Sequence, residues 1–208
     1  MTIEDKIKLL IKYISSLSNF QIIEPDIPYN HMGATITDAM LQAGTKWETV
    51  VSPRVKNLKN NYPEAKTTTG FLKLLERIGP KKLLKWNDSE KPNRILRVTS
   101  FFVKEGVETE ADLKTWLENE TNITRLKELR GIGNKTADYF KILSGIRTSA
   151  IDRHLARFLS MAGIKIESYS EAREIINKTA ERMGIDKSTL DHSIWKYMAT
   201  RGDIKPCI

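Results

Sequence analysis

The chain has few of the residues that build metal centres and disulfide bridges. Its 208 residues include one cysteine, Cys207, and three histidines that are scattered along the sequence. A single cysteine excludes an internal disulfide framework, and it excludes zinc or iron–sulfur sites that need several cysteine ligands. We therefore expect a reduced, intracellular environment and no iron–sulfur cluster.

Long hydrophobic runs are also missing. Apolar stretches are short, as at Ile22-Ile23 and Leu83-Leu84, whereas a membrane-spanning helix needs about 18 consecutive apolar residues. The segment Met1–Lys6 contains acidic residues and no continuous apolar core, so no secretory signal is expected. The sequence predicts no membrane partner.

Positive charge is in excess and unevenly placed. The 34 Lys and Arg residues outnumber the 26 Asp and Glu residues, which gives a formal net charge of +8. Most of this excess falls in the segment 54–85, which has nine bases and only two acids, Glu64 and Glu76. The nine bases are Arg54, Lys56, Lys59, Lys66, Lys73, Arg77, Lys81, Lys82 and Lys85. Two interpretations stay open, a surface that faces phosphates and an ordinary solvated face.

Apolar residues recur at helical spacing along almost the whole chain. Ile3, Ile7 and Leu10, for example, lie on one face of a predicted helix. No alternating run of strand length competes with this pattern, and prolines and glycines divide the chain into roughly ten short helices. Thr109 and Ser168 are predicted N-caps, because an acidic residue follows three positions after each. The sequence predicts an all-α fold without a long linker.

The most informative stretch is 123–143, which predicts two helices joined by a very tight turn. The first helix stops at Gly131-Ile132-Gly133, and the second begins near Asn134. Glycine permits backbone conformations and close approaches that other residues do not, and Ile132 can fill the angle between the helices. The first amides of the second helix, aided by its dipole, suit a phosphate oxygen. Taken alone, the turn predicts either a contact to a nucleic-acid backbone or a simple helix-packing turn.

Two motifs together resemble those of a known enzyme family. The stretch Leu129-Arg-Gly-Ile-Gly-Asn-Lys-Thr-Ala137 resembles the helix-hairpin-helix motif, and Ala150-Ile-Asp-Arg-His154 places Asp152 17 residues after Lys135. This pair resembles the catalytic lysine and aspartate of the helix-hairpin-helix base-excision DNA glycosylases, the endonuclease III and 8-oxoguanine glycosylase superfamily. The resemblance covers most of the chain in order. It implies an all-α fold of two helical subdomains with the hairpin at the cleft between them.

The resemblance also implies subdomain boundaries and a partner. A six-helix barrel would span residues 31–145 and end in the hairpin, residues 123–143. The second subdomain would join residues 1–30 to residues 146–208. The implied partner is damaged double-stranded DNA, bound by a monomer in the cytoplasm and associated with the nucleoid.

The resemblance assigns chemistry to Lys135 and Asp152. Lys135 would attack C1′ of a flipped-out nucleotide as a neutral amine, displace the base and form an imine that permits β-elimination of the 3′ phosphate. Asp152 precedes a predicted helix, Arg153–Leu159, as an N-cap, and its carboxylate would stabilise the cationic sugar and help to deprotonate the amine. The alternative for Lys135 is a helix-start lysine that only contacts phosphate.

Further positions follow from the same resemblance. DNA contacts are expected from the hairpin and from a wedge residue, for which Gln42 is the candidate, with Gly44 in a second alignment. The hairpin contacts would be Gly131, Ile132, Gly133, Asn134 and Thr136. Hairpins of this family often hold a monovalent cation, Na⁺ or K⁺, here on the main-chain carbonyls of Lys127, Leu129 and Ile132. No other cofactor is expected, because the four-cysteine cluster of the endonuclease III branch is missing.

The sequence leaves the identity of the damaged base open. The C-terminal stretch 190–205 resembles that of small archaeal-type 8-oxoguanine glycosylases, in which an aromatic residue and a terminal lysine form the base pocket, so Trp195 and Lys205 are candidates. The stretch Thr45-Lys-Trp-Glu-x-Val50 instead resembles bacterial alkyl-adenine enzymes. The first hypothesis is a glycosylase with AP lyase activity on an oxidised base. The alternatives are a monofunctional glycosylase for alkylated, deaminated or mismatched bases and a non-catalytic helix-hairpin-helix DNA-binding protein.

Overall fold

The computed structural model describes residues 1–200, and the regular secondary structure in that range is helical, without strands. Residues 17–31 connect the first two α-helices without a helix of their own. Its α-helices are α1 (Ile3–Ser16), α2 (Met32–Leu41), α3 (Ser52–Asn61), α4 (Thr68–Ile78), α5 (Pro80–Leu83), α6 (Glu90–Lys104), α7 (Glu110–Leu117), α8 (Glu120–Lys127), α9 (Asn134–Leu143), α10 (Arg153–Met161), α11 (Tyr169–Met183) and α12 (Lys187–Thr200). A π-helical turn spans Trp47–Val51, and a 3₁₀ turn spans Pro63–Lys66. The prediction of an all-α fold is confirmed.

The chain divides into two compact units. One is continuous, Ile27–Ile146, and the other joins Met1–Asp26 to Arg147–Ile208. Each has its own cluster of buried apolar side chains, centred on α2, α4, α6 and α9 in the first and on α1, α10, α11 and α12 in the second. Each unit therefore buries a hydrophobic core of its own.

Helix α2 is the central helix of the continuous unit. All ten of its residues are buried, as expected for a helix without a solvent-facing stripe. It packs against α3, α4, α6 and α9. A Cβ on Gly33 would lie 2.9 Å from the ring of Phe71 and 3.0 Å from the side chain of Ala65. Glycine at this position therefore allows the close approach of neighbouring elements.

Buried polar side chains fix the start of α2. His31 is the N-cap, and its Nδ1 accepts a hydrogen bond from the Ala34 amide at 3.1 Å. The buried carboxylate of Glu110 accepts hydrogen bonds from the Asn30 amide at 2.6 Å and from the Thr35 hydroxyl. The bond to His31 satisfies an amide that the first turn of a helix leaves without a partner. The bonds to Glu110 hold residues on both sides of the N-cap, so together they fix where α2 begins.

In the second unit, α12 holds the segment that precedes α10. Asp191 accepts a hydrogen bond from the Ala150 amide at 2.8 Å, and the Ser188 hydroxyl donates to the Thr148 carbonyl at 3.2 Å. This segment has no helical bonds of its own, so side chains of α12 supply its partners. The backbone that leads into Asp152 is thereby fixed.

The predicted helix starts are found where the sequence placed them. Thr109 forms a reciprocal capping box with Asp112, and the Ser168 side chain accepts a hydrogen bond from the Glu171 amide.

None of the helices within residues 1–200 has the length and apolar character that a membrane span needs.

The bases of segment 54–85 differ in their surroundings. Arg54 donates to the carbonyls of Leu84 at 2.6 Å and Lys85 at 2.7 Å, so it holds the end of α5. Arg77 pairs with Glu64 at 2.9 Å. Lys81, Lys82 and Lys85 are exposed, a group that we call the α5 lysines. The segment therefore combines structural bases with exposed ones.

Candidate functional site

The hairpin turn lies between α8 and α9, as the sequence predicts. Gly131 has φ +95°, a conformation that strongly favours glycine. A Cβ on Gly131 would lie 2.7 Å from the Arg94 guanidinium. Ile132 is buried in the core of the continuous unit. The turn is therefore set by one obligatory glycine and one apolar side chain.

Gly133 has a different role from Gly131. Its φ of −105° and ψ of −169° are accessible to any residue, and it caps α9 without a side-chain hydrogen bond. A Cβ built on it would meet no atom within 4 Å. Internal packing therefore does not require glycine here. Asn134 begins α9, and the amides of its first turn carry the positive end of the helix dipole.

Lys135, in the first turn of α9, is half-buried and contacts both Gln42 and Tyr139. Its Nζ donates a hydrogen bond to Oε1 of Gln42 at 2.6 Å, and it lies 4.6 Å from the centre of the Tyr139 ring. Attraction to an aromatic face requires the charged form of the side chain. Both contacts therefore suit an ammonium group.

Asp38 connects the neighbours of Lys135. It is fully buried on α2, and each of its oxygens accepts two hydrogen bonds. Gln42 Nε2 and Trp47 Nε1 donate to Oδ1, both at 3.1 Å, while the hydroxyls of Tyr29 and Tyr139 donate to Oδ2 at 2.7 Å and 3.3 Å. Burial raises the pKa of Asp38, and the four hydrogen bonds oppose that rise. We call Asp38, Gln42, Trp47, Tyr29 and Tyr139 the Asp38 cluster.

Local backbone geometry brings the Asp38 cluster together. Asp38 and Gln42 are four residues apart at the end of α2, so they share a helix face. Trp47 begins the π-helical turn that returns the chain toward α2. Lys91 donates to the carbonyl of Leu41 at 2.9 Å and to that of Ala43, so it holds the segment that follows α2. Burial lowers the pKa of Lys91.

Asp152 is the N-cap of α10, as predicted. Its Oδ1 accepts hydrogen bonds from the amides of His154 at 2.8 Å and Leu155 at 3.0 Å. Oδ2 accepts no hydrogen bond from residues 1–200. One oxygen of Asp152 is therefore committed to the start of α10.

Trp195 is half-buried on α12 beside two histidines. The His192 ring stacks on it with centroids 6.0 Å apart, and the His154 ring meets it edge-on at 6.5 Å. Burial and the nearby charge of Lys196 lower the pKa of His192. Lys205 lies outside the described residues.

The carbonyls proposed for a monovalent cation lie at the end of α8 and in the turn. The Leu129 carbonyl accepts a hydrogen bond from the Ile132 amide at 3.0 Å, which closes the turn. Residues 1–200 contain no group of three or more His, Cys, Asp or Glu side chains that could hold a metal ion. A backbone site for Na⁺ or K⁺ stays a prediction.

Comparison with known proteins places the chain in a family. The model of the family described as a domain of unknown function, DUF8548, matches residues 9–199. The chain belongs to this family. No curated protein matches this DUF8548 chain.

Among solved structures, the DUF8548 chain resembles a DNA glycosylase. The neighbour is the crystal structure of H. pylori 3-methyladenine DNA glycosylase, MagIII, bound to 1,N6-ethenoadenine, with a TM-score of 0.64 and 20% sequence identity. The alignment covers 96% of this chain and 99% of the other. The chain therefore has the fold of helix-hairpin-helix DNA glycosylases, as the motifs predicted.

Sequence reasoning missed several residues around the candidate site of this DUF8548 chain. Asp38, Tyr139 and Asp191 were not singled out. Asp38 accepts a hydrogen bond from the candidate Gln42, the ring of Tyr139 faces the candidate Lys135, and Asp191 holds the backbone at Ala150, two residues before Asp152. One signal was available for Asp38, because it is the acidic residue within the otherwise apolar and small-residue stretch Met32–Leu41. A charged side chain in a helix that is buried all round needs several partners.

Proposed function

We propose that the chain is a monofunctional DNA glycosylase that removes alkylated purines with water as the nucleophile. The fold that it shares with a 3-methyladenine DNA glycosylase supports the reaction class. The stretch Thr45–Val50, which resembles bacterial alkyl-adenine enzymes, supports the substrate class. The contacts of Lys135 support water rather than lysine as the nucleophile, because an ammonium group held by Gln42 and Tyr139 has no free lone pair.

The geometry supports different roles for the start of α9 and for Asp152. The first amides of α9 would bind a backbone phosphate, with Gly133 allowing its approach. Asp152 would stabilise the positive charge that develops on the sugar as the base leaves, and its Oδ2 would orient the attacking water. Alkylation of a purine weakens its bond to the sugar, so a carboxylate and a water suffice without a covalent intermediate.

The test measures base release from duplexes that contain one 3-methyladenine, 1,N6-ethenoadenine or 8-oxoguanine. We expect release of the alkylated bases, strand cleavage only after alkali, and no adduct on borohydride reduction. Asp152→Asn keeps an N-cap of equal quality but removes the charge, so we expect release to slow at least about 100-fold without a loss of stability. Release at the wild-type rate would overturn the role of Asp152.

A second candidate is the glycosylase with AP lyase activity. The position of Lys135 in the first turn of α9, directly after the hairpin, favours it. Release of 8-oxoguanine together with a borohydride adduct that is lost in Lys135→Gln would establish this candidate and overturn the first.

A further inference from the structure

The Asp38 cluster has a geometry that the proposed reaction does not require. Burying a carboxyl group is costly unless it is well hydrogen bonded. Asp38 is completely buried and receives four donors. Two of these donors, Gln42 and Tyr139, are also the neighbours of Lys135.

The cluster fixes the orientation of the Gln42 amide. Nε2 of Gln42 points to Asp38, which only accepts when it is ionised, so Oε1 must face the other way. Oε1 is the atom that receives the Lys135 ammonium at 2.6 Å. Reversing the amide would place two acceptors together at Asp38 and two donors together at Lys135. Oδ1 of Asp38 also accepts from Trp47 Nε1, which can only donate, so the buried carboxyl oxygen of Asp38 determines which end of the Gln42 amide meets Lys135.

Tyr139 is fixed in the same way. Its hydroxyl donates to Asp38 at 3.3 Å, and its ring lies one helical turn after Lys135 on α9, facing the ammonium at 4.6 Å. A hydrogen bond to a charged group and an aromatic face each stabilise the ammonium form. Asp38 acts on Lys135 through two independent neighbours.

We propose that Asp38 is a positioning residue that holds Lys135 as a cation through Gln42 and Tyr139, and that the chain therefore carries a latent AP lyase activity. When the clamp is removed, Lys135 loses a proton to solvent, and its lone pair attacks the C1′ aldehyde of a ring-opened abasic site. Water leaves to give the imine. A base then removes a C2′ proton, and the 3′ phosphate leaves. This inference rests on the proposed function for its DNA substrate.

The first test uses an abasic duplex, so it does not depend on which base the enzyme releases. Gln42→Met keeps the length of the side chain but has no amide, and Asp38→Asn offers one acceptor oxygen without charge. On this abasic duplex the wild type should give only slow background trapping, and we expect the trapping rate to rise about tenfold in Gln42→Met, the change expected from the loss of one hydrogen bond to a charged group. A smaller rise is expected in Asp38→Asn, and Lys135→Gln in the Gln42→Met background must abolish the adduct.

Thr37→Val is the matched control. Thr37 is buried beside Asp38 on α2, and its hydroxyl has no hydrogen-bond partner within residues 1–200. Removing that hydroxyl leaves the Asp38 cluster intact, so trapping must stay at the wild-type level. Wild-type trapping equal to that of Gln42→Met would overturn the proposal, and so would an equal rise in Thr37→Val.

A second readout needs no DNA. A lysine ammonium held by an acceptor exchanges its protons slowly and gives an observable side-chain ¹⁵N resonance, which Lys135→Gln assigns. We expect the Lys135 resonance in the wild type and in Thr37→Val, and its loss in Gln42→Met. Its absence from the wild type would overturn the clamp even if base release behaves as proposed. If the wild type shows the Lys135 resonance but releases no base, only the proposed function is refuted and the clamp stands.

Discussion

At the scale of single residues, His31 couples the fold to pH. Its Nδ1 accepts from the Ala34 amide, and Nε2 lies 3.2 Å from the Tyr62 carbonyl, to which it donates. Only the neutral ring has both an acceptor and a donor. Burial is the main cause that lowers the pKa of His31.

The lowered pKa gives a stability prediction with a definite sign. As the pH falls, the unfolded chain binds a proton at the ordinary histidine pKa while folded His31 stays neutral, so stability that is complete above that pKa is lost below it. We expect the free energy of unfolding of the wild type to fall between about pH 7.5 and pH 5.5, by at most about 1.4 kcal/mol per pH unit from His31. His31→Asn keeps an N-cap and flattens this slope, as urea unfolding at three pH values would show. Parallel slopes would contradict the assignment, since His192 contributes equally to both proteins.

At the scale of elements, the two hairpin glycines are expected to respond in opposite ways. Gly133→Ser introduces a good N-cap in an accessible conformation, so stability should stay the same or rise by up to about 1 kcal/mol. The added side chain occupies the approach to the first amides of α9, and we expect affinity for duplex DNA to fall about tenfold.

Gly131→Ala is the matched comparison. Its φ of +95° and the contact with Arg94 predict a loss of stability of about 1–3 kcal/mol. Thermal unfolding and fluorescence anisotropy on the same preparations separate the two effects. Unchanged DNA affinity in Gly133→Ser would remove Gly133 from the proposed contact surface.

The same elements show what sequence could and could not predict. The starts of α7, α9, α10 and α11 were predictable because caps and glycines act over three or four residues. Asp152 was identified by its place in a motif. The Asp38 cluster was not predictable, because Tyr29, Asp38 and Tyr139 come from distant parts of the sequence and meet only when α2 and α9 pack.

At the scale of the whole molecule, the net positive charge is expected to affect DNA affinity rather than the fold. The exposed α5 lysines, Lys81, Lys82 and Lys85, belong to the segment that carries most of the excess charge. Replacing all three with Gln should make the dependence of log affinity on log salt shallower by about 0.9 for each DNA phosphate that these lysines neutralise. The control replaces the exposed lysines Lys12, Lys104 and Lys165 with Gln and changes net charge equally. Equal effects in the two proteins would show that only total charge matters.

Trp86 gives the molecule an internal optical probe. Its ring lies 4.9 Å from the Arg54 guanidinium carbon and 5.2 Å from the Lys91 ammonium. Lys91 also holds the carbonyls of Leu41 and Ala43, on either side of Gln42. A nearby cation shifts the emission wavelength of an indole ring. A displacement of the Gln42 segment that moves Lys91 would therefore shift the fluorescence emission maximum of Trp86. Because Lys91 contacts both the end of α2 and Trp86, the fluorescence of Trp86 reports movement of the end of α2 without an added label.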